Sequence, residues 1–166
     1  MSYTILDPVL GYPKIVATST APWPAAPALG TKVKAVDPTY GYGEFIFLKG
    51  VANTAVGSVA LYNPDDWTTS LATSNDVGKL AVAMSANLDN QYGWYQIFGK
   101  GVAKVLSGFL DNADCYLTGT AGSVDDTDVA GDYIRGMKGA SAIGTPSAGL
   151  AEVELGYPEV ADGKDN

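Results

Sequence analysis

At 166 residues the chain is long enough for one domain with a real hydrophobic core, and 46% hydrophobic against 17% charged residues excludes a disordered chain while leaving a surface poor in charge. Eighteen acidic against ten basic residues give a formal net charge of −8, which repels phosphate backbones and argues against direct nucleic-acid binding. A single cysteine excludes an intrachain disulfide and a thiolate metal centre, and the lack of histidine removes the commonest metal ligand and general base.

Twenty glycines and nine prolines, spread along the chain, predict many turns and short strands in an all-β fold without long helices. The start, MSYTILDPVL, lacks the basic residues and apolar run of a signal peptide. The least charged stretch, 15–31, carries Pro22, Pro24 and Pro27 and is unfit for a membrane helix. The chain therefore reads as soluble, made in a cytoplasm, and without a membrane partner. Residues 1–29 are set apart as an N-terminal arm, with one candidate strand at 15–20 before the run APWPAAP at 21–27. Each proline removes a donor and biases its predecessor toward extended geometry, so the run predicts a stiff, polyproline-like segment. Such a segment either reaches across a neighbour or serves as a linker or a loop packed on its own domain. Tyr12, Pro13, Trp23 and Pro24 are the candidate contact residues of this arm.

The β-rich domain spans 30–160. Lys32 to Val36 alternates in period two, with Val33 and Ala35 on one side and Lys32 and Lys34 on the other, a half-exposed strand. Residues 44–52 are apolar on both faces, Phe45, Phe47 and Val51 against Ile46 and Leu48, which predicts a central strand buried on both sides. A turn at 53–57, a strand at 58–62 and a stop at Asn63-Pro64-Asp65-Asp66 follow. Residues 79–86 place Leu80, Val82 and Met84 on one face of a packed strand. The longest candidate strand, 92–106, is interrupted by Gly99 and Gly101, where a bend or bulge is expected.

Residues 43–52 and 93–103 share a weak pattern, either a duplication or two strands of one sheet with similar needs. The tetrapeptide Leu-Gly-Tyr-Pro occurs twice, at 10–13 and 155–158. The stretch 111–132, with six aspartates and no basic residue, and the small-residue stretch 138–149 read as surface loops. Residues 151–155 alternate again and predict a closing edge strand with outward glutamates, and 161–166 read as a flexible tail.

Catalytic patterns fail one by one. Without histidine no Ser-His-Asp or Cys-His arrangement exists, and Asp65, Asp66, Asp125, Asp126 and Asp128 lie in turn sequence unsuited to a glycosidase pair. Asp125-Asp126-Thr127-Asp128 lacks the ligand spacing of an EF-hand loop. Residues 93–100 have five residues between their glycines where a P-loop has four. The aromatics remain: Trp23, Trp67, Trp94 and ten tyrosines are able to stack on sugar rings, against the plainer reading that Trp94, Tyr95 and Phe98 belong to the sheet and Trp67 pins a loop.

Within 43–105 the wording F-x-F-L-K-G-V-A, Tyr62-Asn63-Pro64, V-A-M-S-A-N and N-Q-Y-G-W-Y-Q-I-F-G-K-G-V-A-K resembles the capsid decoration, or head cement, proteins of tailed phages. The likeness continues through Asp111-Asn112-Ala113, the turn 122–126 and 138–142, and covers roughly two thirds of the chain. The strand and turn pattern predicts a small β-barrel or β-sandwich with an extended N-terminal arm and long loops, and the resemblance implies a β-rich protein. It implies a non-enzymatic virion protein, without cofactor, that binds the outside of an expanded icosahedral head, commonly as a homotrimer, and clamps neighbouring major capsid protein subunits. The alternative from a different class is a carbohydrate-binding or host-adhesion module, for which Trp67 and Trp94 are the candidate residues.

Overall fold

The computed structural model describes residues 1–7, 12–20 and 27–161. The described residues form eleven strands, β1 (Thr4–Ile5), β2 (Lys32–Asp37), β3 (Gly41–Lys49), β4 (Val59–Tyr62), β5 (Thr69–Leu71), β6 (Gly78–Ala83), β7 (Tyr92–Lys104), β8 (Asp114–Leu117), β9 (Val124–Asp125), β10 (Tyr133–Gly139) and β11 (Leu150–Val160). All pair antiparallel in one sheet of order β1-β2-β3-β7-β6-β11-β10-β8-β9, with β4 on β6 and β5 on β4. The class is all-β with long loops, as expected, and strand pairing does not close the sheet into a barrel. No helix among the described residues is long and apolar enough to cross a membrane.

The centre of the sheet is a junction of three strands. One edge of β7 pairs with β3 from Lys49↔Tyr92 to Gly43↔Gly99. Its other edge is divided, going to β6 at Tyr95 and Gln96 and to β11 from Phe98 to Lys104. β11 in turn gives Glu159 and Val160 to β6. The chain manages this split at a bulge: Phe98 and Gln96 face the adjacent residues Glu44 and Phe45, so Ile97 is extra in β7. Gly99 follows with φ +94°, and a Cβ there would lie 2.3 Å from the Tyr42 carbonyl oxygen. The expected interruption of the long strand is found at this point.

Gln96 occupies the space inside the junction. It is fully buried, and its Nε2 donates to the carbonyls of Phe98 (3.1 Å) and Lys100 (3.0 Å). A Cβ at Gly101 would stand 2.2 Å from Gln96 Oε1, so the second glycine of the pattern makes room for a buried amide.

Three apolar clusters use the strand alternation. β2 buries Val33 and Ala35 and exposes Lys32 and Lys34, as its pattern predicts. β3 sends Phe45 and Phe47 to a cluster with Trp94, Met84 and Ile15, and Ile46 and Leu48 to another with Tyr95, Ile97, Ala81 and Ala83. Each such large side chain, fully buried, contributes roughly 1.5–3 kcal/mol. Leu80 and Val82 face a third cluster with Phe109, Cys115, Leu117 and Val153, whereas Met84 joins the first, because β6 ends at Ala83. The segments 43–52 and 93–103, alike in pattern, lie side by side as β3 and β7.

Three expectations need correction, and one strand went unpredicted. Residues 15–20 form no strand: Ala17 N–H turns back to the Lys14 carbonyl, Ile15 points inward, and only Ser19 bridges to Tyr92. The acidic stretch 111–132 is not all loop, since Cys115, Leu117 and Val124 alternate inward on β8 and β9. Its neighbour β10 was masked in the sequence by Gly136, which has φ +72° beside the Gly156 carbonyl and marks a register shift against β11. β11 is no edge strand; it is flanked by β7 and β6 on one side and β10 on the other, and its outward Glu152 pairs with Lys100 at 2.6 Å.

Candidate interaction surface

The N-terminal candidates divide. Tyr12 and Pro13 are half-buried against the body: the Tyr12 ring is tilted 5.9 Å from that of Trp94, and Trp94 Nε1–H donates to the Pro13 carbonyl at 3.0 Å. Ile15 is 1% exposed beneath them. β1 adds to the outer edge of β2, and Asp37 at the far end of β2 accepts the Ser2 N–H. Trp23 and Pro24 lie outside the described residues, as do 8–11, 21–26 and 162–166. In the described parts, then, the N-terminal segment is fastened to its own domain, and the structure brings together two of the four predicted contact residues.

The aromatic candidates for sugar stacking are also placed. Trp94 is 0% exposed and offers no face to a ligand. Trp67, with φ +60°, lies over Gly30 and fixes its loop, its N–H donating to Asn63 O and its carbonyl accepting from Lys49 N–H. The turn aspartates serve their own loops. Asp66 accepts from the N–H and hydroxyl of Thr68, which hold its carboxyl below the usual range, Asp125 accepts from the Thr127 hydroxyl and Asp126 from Leu110 N–H. Among the described residues no three metal-ligating side chains gather.

Sequence reasoning missed the most distinctive exposed cluster. Tyr42 and Glu44, two apart on β3, share a face, and Glu44 stands opposite Phe98 in the ladder. The Tyr42 and Tyr157 hydroxyls donate to the two oxygens of the Glu44 carboxylate, each at 2.7 Å. Phe98 lies between the rings, 6.1 Å from Tyr42 edge-on and 5.4 Å from Tyr157. Tyr42 is 39% and Tyr157 49% exposed, and Val36, paired with Tyr42 across the strands, is exposed too. The two hydroxyl bonds hold the Glu44 carboxyl below its ordinary range, and the same bond pushes Tyr42 up to about 12. Tyr157 has φ +57°, a conformation that bulky residues rarely take, imposed where β11 departs from β7 toward β6. Its Leu-Gly-Tyr-Pro setting was the available signal: Tyr12 of the first copy packs inward on Trp94, and Tyr157 of the second faces out on Phe98.

Beside Glu44 the surface dips into a cleft of about 360 Å³ that includes Asp7, Tyr12, Lys32 and Lys34. The arrangement sets a carboxylate between two tyrosine hydroxyls and beside an aromatic ring, with Lys32 and Lys34 in the adjoining cleft. No protein-family model matches the chain, and no curated protein matches it.

Proposed function

We propose that the chain is a non-enzymatic decoration protein of a tailed-phage head, bound on the outside of the capsid as a homotrimer and joining neighbouring major capsid protein subunits. The observation that carries this reading is the wording of residues 43–105, and it is these residues that supply nearly all of β3 and the whole of β4, β5, β6 and β7 of the body. Two features of the fold fit the task. The three-strand junction ties distant parts of the chain into one stiff unit, and the exposed Tyr42–Phe98–Tyr157 cluster offers the kind of aromatic anchor that dominates interface energies. Small proteins spread over a shell add interfaces that must break before subunits part, and repetition makes modest contacts strong.

The test is to add the purified protein to expanded, undecorated heads of the phage that encodes it and to image them by cryo-electron microscopy. The reading expects new ordered density on the outer surface and heads that disrupt at higher temperature. Heads that emerge bare at micromolar protein would end it.

A further inference from the structure

We propose that Tyr42, Glu44, Phe98 and Tyr157 form a seat for an arginine side chain on the surface of the protein that this chain binds. The inference rests on the reading of the chain as a binding protein of the virion and adds to it the place and chemistry of one contact.

Three observations lead there. First, Glu44 makes no ion pair among the described residues, although Lys32 and Lys34 stand beside it in the cleft and partly offset its charge. Lys79–Glu159, Lys100–Glu152 and Lys138–Asp114 lie elsewhere, and Lys34, which faces Glu44 across the ladder, makes no ion pair with it. Second, each Glu44 oxygen accepts one tyrosine hydroxyl. A carboxylate has about four acceptor positions, so one remains on each oxygen, the number that a guanidinium fork fills with two parallel N–H bonds. Third, the flanking rings are exposed, Tyr42 edge-on to Phe98 at 69° and Tyr157 tilted at 39°, so a flat cation reaching the carboxylate meets aromatic surface on its way. An ammonium has no plane to stack and no fork to match, which sets arginine above lysine here. The formal net charge of −8 draws a basic partner surface toward the molecule before contact.

The experiment uses the full chain and two probes, the capped tripeptide Gly-Arg-Gly and its Gly-Lys-Gly counterpart, titrated while the ring resonances of Tyr42, Phe98 and Tyr157 are followed by NMR. The arginine probe is expected to shift these rings saturably, the lysine probe to bind at least about fivefold more weakly, and Glu44→Gln to remove the arginine response while amide resonances elsewhere stay in place. Rings that do not respond, equal response to lysine, an undiminished response in the variant, or saturable shifts with simple sugars in place of arginine would each overturn the seat. A second arm measures binding to undecorated heads, where Glu44→Gln and the paired variant Tyr42→Phe with Tyr157→Phe report separately on charge and hydroxyls. Glu44→Gln is expected to weaken binding about tenfold or more, the range for one charge-assisted pair. If the natural chain binds heads and Glu44→Gln binds equally, the seat is refuted and the decoration reading stands. If the natural chain ignores heads, the decoration reading falls and the peptide titration alone decides on the seat.

Discussion

Replacing Gly101 by alanine puts the central junction under direct test. The new Cβ would sit 2.2 Å from Gln96 Oε1 and 2.9 Å from its Cδ, well inside contact distance. Neither side yields freely, because Gly101 is locked opposite Val153 in the β7–β11 ladder and Gln96 is fully buried and tied by two hydrogen bonds. Moving the amide breaks those bonds, about 1 kcal/mol each, and the crowding itself costs about 1–3 kcal/mol, so Gly101→Ala should lose about 3–5 kcal/mol. For a chain of this size that is a fall in Tm of roughly 6–20 °C. Urea denaturation followed by tryptophan fluorescence measures it, with Trp94 as the buried reporter. The mechanism makes a sharper claim for Gln96→Ala, which vacates the space: in that background Gly101→Ala should cost about 2 kcal/mol less. A single-variant loss below about 1 kcal/mol, or effects that add within about 0.5 kcal/mol, would refute the reasoning.

Two further expectations follow from buried groups. Cys115 is 0% exposed, and burial, helped by the charges of Asp114 and Asp126, pushes its thiol up to about 12. The native protein should therefore resist thiol reagents at pH 8 and label only as urea opens the fold, and full labelling within minutes in buffer would contradict this packing. At the end of β2, burial alone would raise the Asp37 carboxyl, but hydrogen bonds from the N–H groups of Ser2, Tyr40 and Thr39 outweigh it and hold the group below its ordinary value. The charged form is thus favoured by folding, and its contribution is complete above the unfolded carboxyl value near 4 and lost as pH falls through the lowered folded one. Asp37→Asn should cost about 2 kcal/mol at pH 7 and flatten the loss of Tm on acidification, whereas parallel pH profiles for the two proteins would exclude this role.

The elements legible in the sequence were those whose apolar residues are dense or regular enough to outlast a break in the pattern. β2 shows Val33 and Ala35 between lysines, β3 shows apolar residues on both faces, and the glycines of β7 mark its bulge. β10 escaped notice because Gly136 breaks its period, and β8 because two of its four residues, Asp114 and Tyr116, are polar or amphipathic and sit in an acidic run. The strand predicted at 15–20 failed for the opposite reason: Ile15 and Val16 have β character, yet a single turn buries Ile15 and exposes Val16. The exposed cluster could not be read from local pattern at all. Tyr157 is more than a hundred residues from Glu44 along the chain, and only the path of β11 across β7 brings its hydroxyl to that carboxylate.

β11 is the last of the described strands in chain order, yet it lies at the middle of the sheet. During synthesis, β6, the second half of β7 and β10 therefore wait with unpaired edges until residues 150–160 have left the ribosome. Folding of the body is in this sense a single late event, dominated by long-range contacts and slow for that reason. The same topology works in the other direction once the sheet is complete: β11 has partners on both edges, and its removal would open the junction and leave β10 joined to the rest only through β8, β9 and the Val105–Val124 bridge.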